Sequence, residues 1–161
     1  MSYSFRRLAV VLTLALGLTP LLLTVSRGDA PPAAKTETFK GKVVPLAGVL
    51  EKLGSRLDKE AAAHWLALVT DDGKTYPLIP DDGSRLFFRD ARLLNRPMQV
   101  TGRLFPDTHL LQVLSVNSIV KGQLCEVYYW CDVCSIRRNE KMDRCECCGG
   151  PMELREVPVK K

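Results

Sequence analysis

Residues 65–79 read WLALVTDDGKTYPLI, with two apolar runs on either side of the polar segment Asp71-Asp72-Gly73-Lys74. An Asp-Gly pair between apolar runs is a strong short-range signal for a β-hairpin, because both residues adopt the backbone angles of a tight turn. The stretch therefore predicts two antiparallel strands joined by a short turn. It makes a mainly β fold the starting expectation for the whole chain.

Strand signals continue on both sides of this hairpin. Residues 40–46 (KGKVVPL) precede it as a first strand, and residues 85–95 (RLFFRDARLLN) follow it as a helix. Residues 96–105 and 110–120 then predict two more strands around a Pro-Asp turn. This order matches the OB barrel, in which a helix bridges the third and fourth of five strands. We therefore expect an OB-like barrel over residues 39–124, with a generic β-barrel carrying a helical plug or an α+β sandwich as alternatives.

The cysteines are confined to one end of the chain. All six fall between Cys125 and Cys148, and four of them form two Cys-x2-Cys pairs. Each such turn brings two sulfurs to one side, and two facing turns complete a tetrahedral site for zinc. Residues 125–161 therefore predict a zinc-ribbon-like module. Its expected ligands are Cys131, Cys134, Cys145 and Cys148.

The same cysteines are compatible with other chemistry. Iron would suit the same four thiolates, and an even number of cysteines in an exported protein is compatible with disulfides. Two closely spaced Cys-x2-Cys turns are unusual as a disulfide framework. A redox-active pair is expected at a helix start in a βαβ context, which the sequence lacks. Cys147 could replace Cys145 or Cys148, and Cys125 is interpreted as a strand residue or a spare thiol.

The N-terminal region has the pattern of a targeting segment. Residues 1–7 carry two arginines and no acid, and residues 8–25 carry no charge. A basic region followed by an apolar run is typical of a secretory signal, and this run is nearly long enough to span a bilayer. Residues 1–30 are therefore expected to be a cleaved signal peptide or a membrane anchor, and residues 31–38 (PPAAKTET) a linker. The rest of the chain is expected outside the cytoplasm, in the periplasm or an equivalent space.

The distribution of charge bears on the kind of partner that the chain could bind. The formal net charge is +5, but from Pro31 onward 20 basic and 17 acidic side chains leave only +3, an excess too small to favour nucleic acid as a partner. On the predicted helix, four arginines fall within about 60° of one another at the helical period. They could bind an anionic lipid headgroup, an acidic partner or a polymer, or they could simply form a solvated face. These residues are Arg85, Arg89, Arg92 and Arg96.

Catalytic motifs are missing from the sequence. His64 and His109 are its only histidines, and neither accompanies a nucleophile motif. A closed four-thiolate zinc site also leaves no position open for a substrate. We therefore expect a non-enzymatic accessory or interaction protein that binds another protein or an envelope component. The alternatives are a rubredoxin-like electron carrier, an envelope thiol-disulfide redox protein, and an OB-type glycan or lipid binder.

Two stretches carry a resemblance to other proteins. The sequences TDDGKTYPLIPDDGSRLFFRD and YYWCDVC…CECCGGPMELR resemble a group of uncharacterised bacterial exported proteins. The similarity extends from about residue 39 onward. It implies a small barrel with a terminal four-cysteine knuckle, and it implies no activity.

Overall fold

The computed structural model describes residues 34–160, so the expected signal or anchor at residues 1–30 lies outside the described residues. None of the helices within residues 34–160 is long and apolar enough to cross a membrane. The first half of this region comprises β1 (Lys35–Pro45), α1 (Leu46–Lys52), α2 (Lys59–His64), β2 (Leu66–Thr70), β3 (Thr75–Pro77) and α3 (Arg85–Arg89). The second half comprises a 3₁₀ turn (Ala91–Leu93), β4 (Pro97–Phe105), β5 (Leu110–Val120), β6 (Gln123–Cys131), β7 (Ile136–Arg138) and β8 (Glu153–Pro158).

All the paired strands belong to one antiparallel sheet, which confirms the expected mainly β class. The strand order is β3-β2-β1-β4-β5-β6-β7, and β8 pairs with β6. The predicted hairpin is β2 and β3, with Ala67 opposite Pro77. Gly73 closes the turn at φ 83°, a conformation that costs glycine little because it lacks Cβ.

The start of β1 corrects the sequence analysis. Lys35–Thr38, assigned above to a linker, already form part of this strand, and Thr36 lies opposite Arg103 of β4. This part of the strand is largely exposed, so it lacks the apolar alternation by which a half-buried strand is recognised. Its β-branched threonines are its remaining strand signal.

The helix predicted over residues 85–95 is also interrupted. Helix α3 ends at Arg89, and Asp90 is extended at φ −134°. The Asp90 side chain then accepts a hydrogen bond from the backbone N–H of Arg92 and starts the 3₁₀ turn. Because an Asp can bond to nearby backbone groups, it favours such caps over helix interiors. The four arginines consequently do not share one helical face.

Apolar side chains from the sheet and from α3 form a single core. Phe87 of α3 belongs to the same buried cluster as residues of β1, β4 and β5. The end of β3 also approaches β5, since Ile79 donates a 3.0 Å backbone hydrogen bond to Leu111 and Leu78 forms a parallel bridge with that residue. The fully buried members include Val43, Leu68, Leu78, Phe87, Leu93, Met98, Val100, Leu111 and Tyr129.

Strand β6 connects this core to the cysteine region. One of its edges pairs first with β5, at residues 123–126, and then with β7, at residues 129–131. Its other edge pairs with β8. Val127 and Tyr129 belong to the same buried cluster as the core of β1–β5. The boundary expected at residue 125 therefore falls inside a strand, without a linker.

Candidate metal centre

Two turns at the ends of strands bring four sulfur atoms together. Strand β6 ends at Cys131, and Ser135 adopts φ 54° in the turn that leads into β7. A longer loop then carries the second cysteine pair back to β8. The Sγ atoms of all four predicted ligands lie within 4.8 Å of one another. The four residues are Cys131, Cys134, Cys145 and Cys148.

The second turn is closed by short backbone hydrogen bonds. Cys145 donates to the carbonyl of Gly150 at 2.7 Å, and Gly149 donates back to Cys145 at 2.8 Å. Gly149 lies at φ 70°, which favours glycine. The N–H of Gly150 points at Cys148 Sγ, 3.4 Å away. The turn thus presents its sulfurs on one side with donors directed at them.

Backbone donors also shape the acidity of these thiols. The N–H groups of Cys148 and Cys147 lower the pKa of Cys145 to about 7, because they stabilise the thiolate. The N–H of Cys134 favours the thiolate of Cys131, but burial and the thiols of Cys148 and Cys145 outweigh it and raise the pKa of Cys131.

The pKa of Cys134 is raised as well, by hydrogen bonds with the thiols of Cys147 and Cys148.

The cluster has the donor set of a thiolate metal site. A tetrahedral zinc site with bonds of about 2.3 Å requires sulfurs about 3.8 Å apart. The Sγ atoms of Cys131 and Cys148 are already 3.5 Å apart. Four cysteines so placed could bind a metal ion, and all-sulfur coordination suits zinc or iron.

The two remaining cysteines lie outside this set of four. Cys147 is exposed, and its thiol contacts that of Cys134. Cys125 is buried in β6 opposite Ser118, and its Sγ lies 3.8 Å from the carbonyl oxygen of Gln123. All six cysteines are among the described residues, and all six thiols are free.

The four arginines are dispersed into separate contacts. Arg85 pairs with Asp82 and, at 3.5 Å, with Glu140. Arg96 pairs with Glu156 of β8 at 2.6 Å. Arg92 pairs with Asp90, also at 2.6 Å. Arg89 is exposed and forms no ion pair within residues 34–160.

The sequence did not predict a buried polar cluster close to the cysteines, which consists of Asp90, Arg92 and Tyr129. Asp90 is 2% exposed, and its carboxylate accepts hydrogen bonds from Arg92 Nε and Nη2 and from the Tyr129 hydroxyl. The Arg92 guanidinium is the main reason that the pKa of Asp90 falls to about 2. Burial raises the pKa of Tyr129, which is two residues from Cys131. The alternation of side chains along β6 predicts that Tyr129 points into the core. The sequence around Asp90 does not identify Asp90 as the hydrogen-bond partner of Tyr129.

The chain matches no protein-family model, no curated protein and no solved structure. Its class is therefore defined by its own geometry. It is a mainly β protein with a C-terminal four-cysteine cluster that could hold a metal ion.

Proposed function

We propose that this chain is a non-enzymatic accessory protein of the bacterial envelope, in which residues 125–160 form a zinc ribbon. The observation that carries the proposal is the convergence of four sulfurs at the end of a core strand. Cys131 terminates β6 two residues after the buried Tyr129. A metal bound there would join an otherwise loosely packed segment to the main core.

The burial pattern supports a structural role for the ion. Between residues 132 and 152, Cys145 is the one buried residue in a segment that the structure describes throughout. Such a segment cannot order itself by burying apolar surface, so metal binding would supply folding free energy. Zinc held by Cys131, Cys134, Cys145 and Cys148 would act as a cross-link. Four thiolates leave no position open for a reacting group.

We further propose that the preceding strands form an OB-like barrel. The helix α3 lies between β3 and β4, as it does in that fold. The Leu78–Leu111 bridge brings the third and fifth strands into contact. Fold alone does not define a ligand, and in this proposal the barrel is the scaffold of the accessory protein.

Export is the third part of the proposal. Its support is the uncharged run at residues 8–25 after two arginines. The segment would act as a cleaved signal or as an anchor that keeps the barrel at the membrane surface. The binding partner would be a protein or another envelope component, and the small net charge disfavours nucleic acid.

Native mass spectrometry with metal analysis tests the zinc ribbon. We expect one zinc per chain and no visible absorption. A red protein with bound iron would instead support the rubredoxin-like electron carrier. A chain with disulfides and no metal would contradict both.

Matched cysteine variants locate the ion. Cys145→Ser should abolish stoichiometric zinc and make the 132–152 segment sensitive to protease, because a ligand is lost. Cys147→Ser is the control and should retain both zinc and protease resistance. Equal loss in the two variants would contradict the assignment of the four ligands.

A further inference from the structure

A cavity opens where β5 and β7 meet the same edge of β6. The two strands pair with different parts of that edge. Between them, Val127 and Tyr128 have no strand partner on this edge. The cavity has a volume of about 230 Å³. Among its lining residues are Leu86, Ser115, Asn117, Glu126, Arg137 and Asn139.

The wall of this cavity is polar but has no net charge. Glu126 and Arg137 are its two charged residues, and they form an ion pair at 2.6 Å. The amides of Asn117 and Asn139 and the hydroxyl of Ser115 can each donate and accept hydrogen bonds. A strongly charged ligand would have to compete with an existing ion pair. The wall therefore fits a neutral molecule whose groups both donate and accept.

The volume limits the size of such a molecule. Sites for drug-sized ligands usually measure about 300–1,000 Å³, so this cavity suits a single small ring. Leu86 and Val127 provide an apolar side beside the polar groups. A sugar ring combines an apolar C–H face with hydroxyl groups around its edge, and it matches both features.

Aromatic rings continue the surface beyond the cavity. Because side chains alternate along a strand, Glu126, Tyr128 and Trp130 lie on one face of β6. The Arg137 guanidinium lies 4.4 Å from the centroid of the Tyr128 ring. The Trp130 ring centroid is 6.3 Å from that of Tyr128, with an interplanar angle of 77°. Both rings are partly exposed, so apolar ring surface lies next to hydrogen-bonding groups.

We propose that this cavity and the adjoining Tyr128–Trp130 face bind a neutral oligosaccharide. One sugar ring occupies the cavity between β5 and β7, hydrogen-bonded to Asn117 and Asn139. The next ring along packs against the aromatic face. The site lies between β5, β6 and β7, apart from the arginines of the predicted helix, and it requires β7 in place but no particular metal.

Trp130 provides a direct reporter for the test. In a Trp65→Phe background it is the single remaining tryptophan. The full-length, metal-loaded protein is titrated with cellohexaose, maltohexaose and chitohexaose, and binding is followed by Trp130 fluorescence and calorimetry. We expect saturable binding of at least one hexaose with a change in emission. Absence of saturation with all three up to about 1 mM would overturn the proposal.

Variants place the sugar in the cavity. Asn117→Ala combined with Asn139→Ala should weaken binding about tenfold or more, because buried hydroxyls lose their partners. Gln123→Ala removes an exposed amide of β6 outside the cavity and should leave the affinity unchanged. Zinc content and melting temperature confirm that each variant is folded. Equal affinity in the double variant and the control would overturn the location of the site.

A charged probe tests the neutral specificity. An oligogalacturonate of the same length should bind at least tenfold more weakly than the best neutral hexaose. If the anionic oligomer binds best, the proposed ligand class is wrong. The wild-type titrations measure this preference for a neutral ligand even if the asparagine variants fail to fold.

Discussion

The Tyr129 hydroxyl donates a 2.8 Å hydrogen bond to Asp90, which lies 39 positions earlier in the chain. The two residues are almost fully buried, and Arg92 Nη2 donates a second hydrogen bond to the same carboxylate oxygen, Oδ2. The bond joins strand β6 to the turn after α3. It therefore holds the strand that ends at Cys131 against the rest of the core.

Removing this hydrogen bond should lower stability without removing metal. In Tyr129→Phe the ring still fills the core, but the buried carboxylate loses one donor, so we expect a loss of about 1–2 kcal/mol in the free energy of unfolding. Urea denaturation at pH 7 measures it. Tyr128→Phe is the control, because the Tyr128 hydroxyl forms no hydrogen bond within residues 34–160. Its stability should change by less than about 0.5 kcal/mol.

Asp90 should make stability depend on pH in the acid range. Its pKa is about 2 in the folded protein against about 3.9 when unfolded. The contribution is fully present above about pH 4 and is lost as pH falls toward 2, since the unfolded chain takes up the proton first. Its size is on the order of 2 kcal/mol.

The Asp90→Asn variant checks this assignment. Its stability deficit relative to wild type should be largest at pH 5–7 and should shrink toward pH 2. Urea denaturation across this range measures the difference. A deficit that stays constant with pH would show that another group carries the acid dependence.

A methyl group at Gly41 should be poorly tolerated. Its Cβ would fall well inside van der Waals contact of the Val69 carbonyl in the paired strand β2. Forcing backbone apart in a packed sheet costs about 1–3 kcal/mol, and thermal unfolding of Gly41→Ala should show that loss. Gly48 in α1 has no neighbouring atom within 4 Å of such a methyl. Gly48→Ala should therefore be neutral or stabilising by up to about 1 kcal/mol.

The two helices between β1 and β2 should open locally before the sheet does. Neither α1 nor α2 has a buried residue, and Leu53 is 76% exposed. Segments with few buried contacts exchange amide hydrogens through low-energy openings. Hydrogen exchange followed by mass spectrometry should show weaker protection over residues 46–64 than over β4. Equal protection in the two regions would indicate a packing partner for these helices.

Local patterns in the sequence predicted the local structure well. The Asp-Gly turn and its flanking apolar runs predicted β2 and β3, and the cysteine spacing selected four residues whose sulfurs converge. The failures involve partners distant in sequence. Asp90 looks like a polar residue inside a helix, and only the fold brings Tyr129 and Arg92 around its carboxylate. The first residues of β1 pair with β4 but bury little, so the sequence carries no apolar alternation there.

The pairing of β6 on both of its edges limits where this chain could be divided into separate domains. Strand β6 pairs with β5 and β7 on one edge and with β8 on the other. A truncation before residue 125 would remove most of β6 and leave β5 with an unpaired edge. The cysteine segment is therefore not an independent folding unit, because β6 is also a strand of the main sheet. Grafted onto another protein, the segment would lack the core residues with which Val127 and Tyr129 are buried, so β6 and the sheet before it should unfold in a single transition.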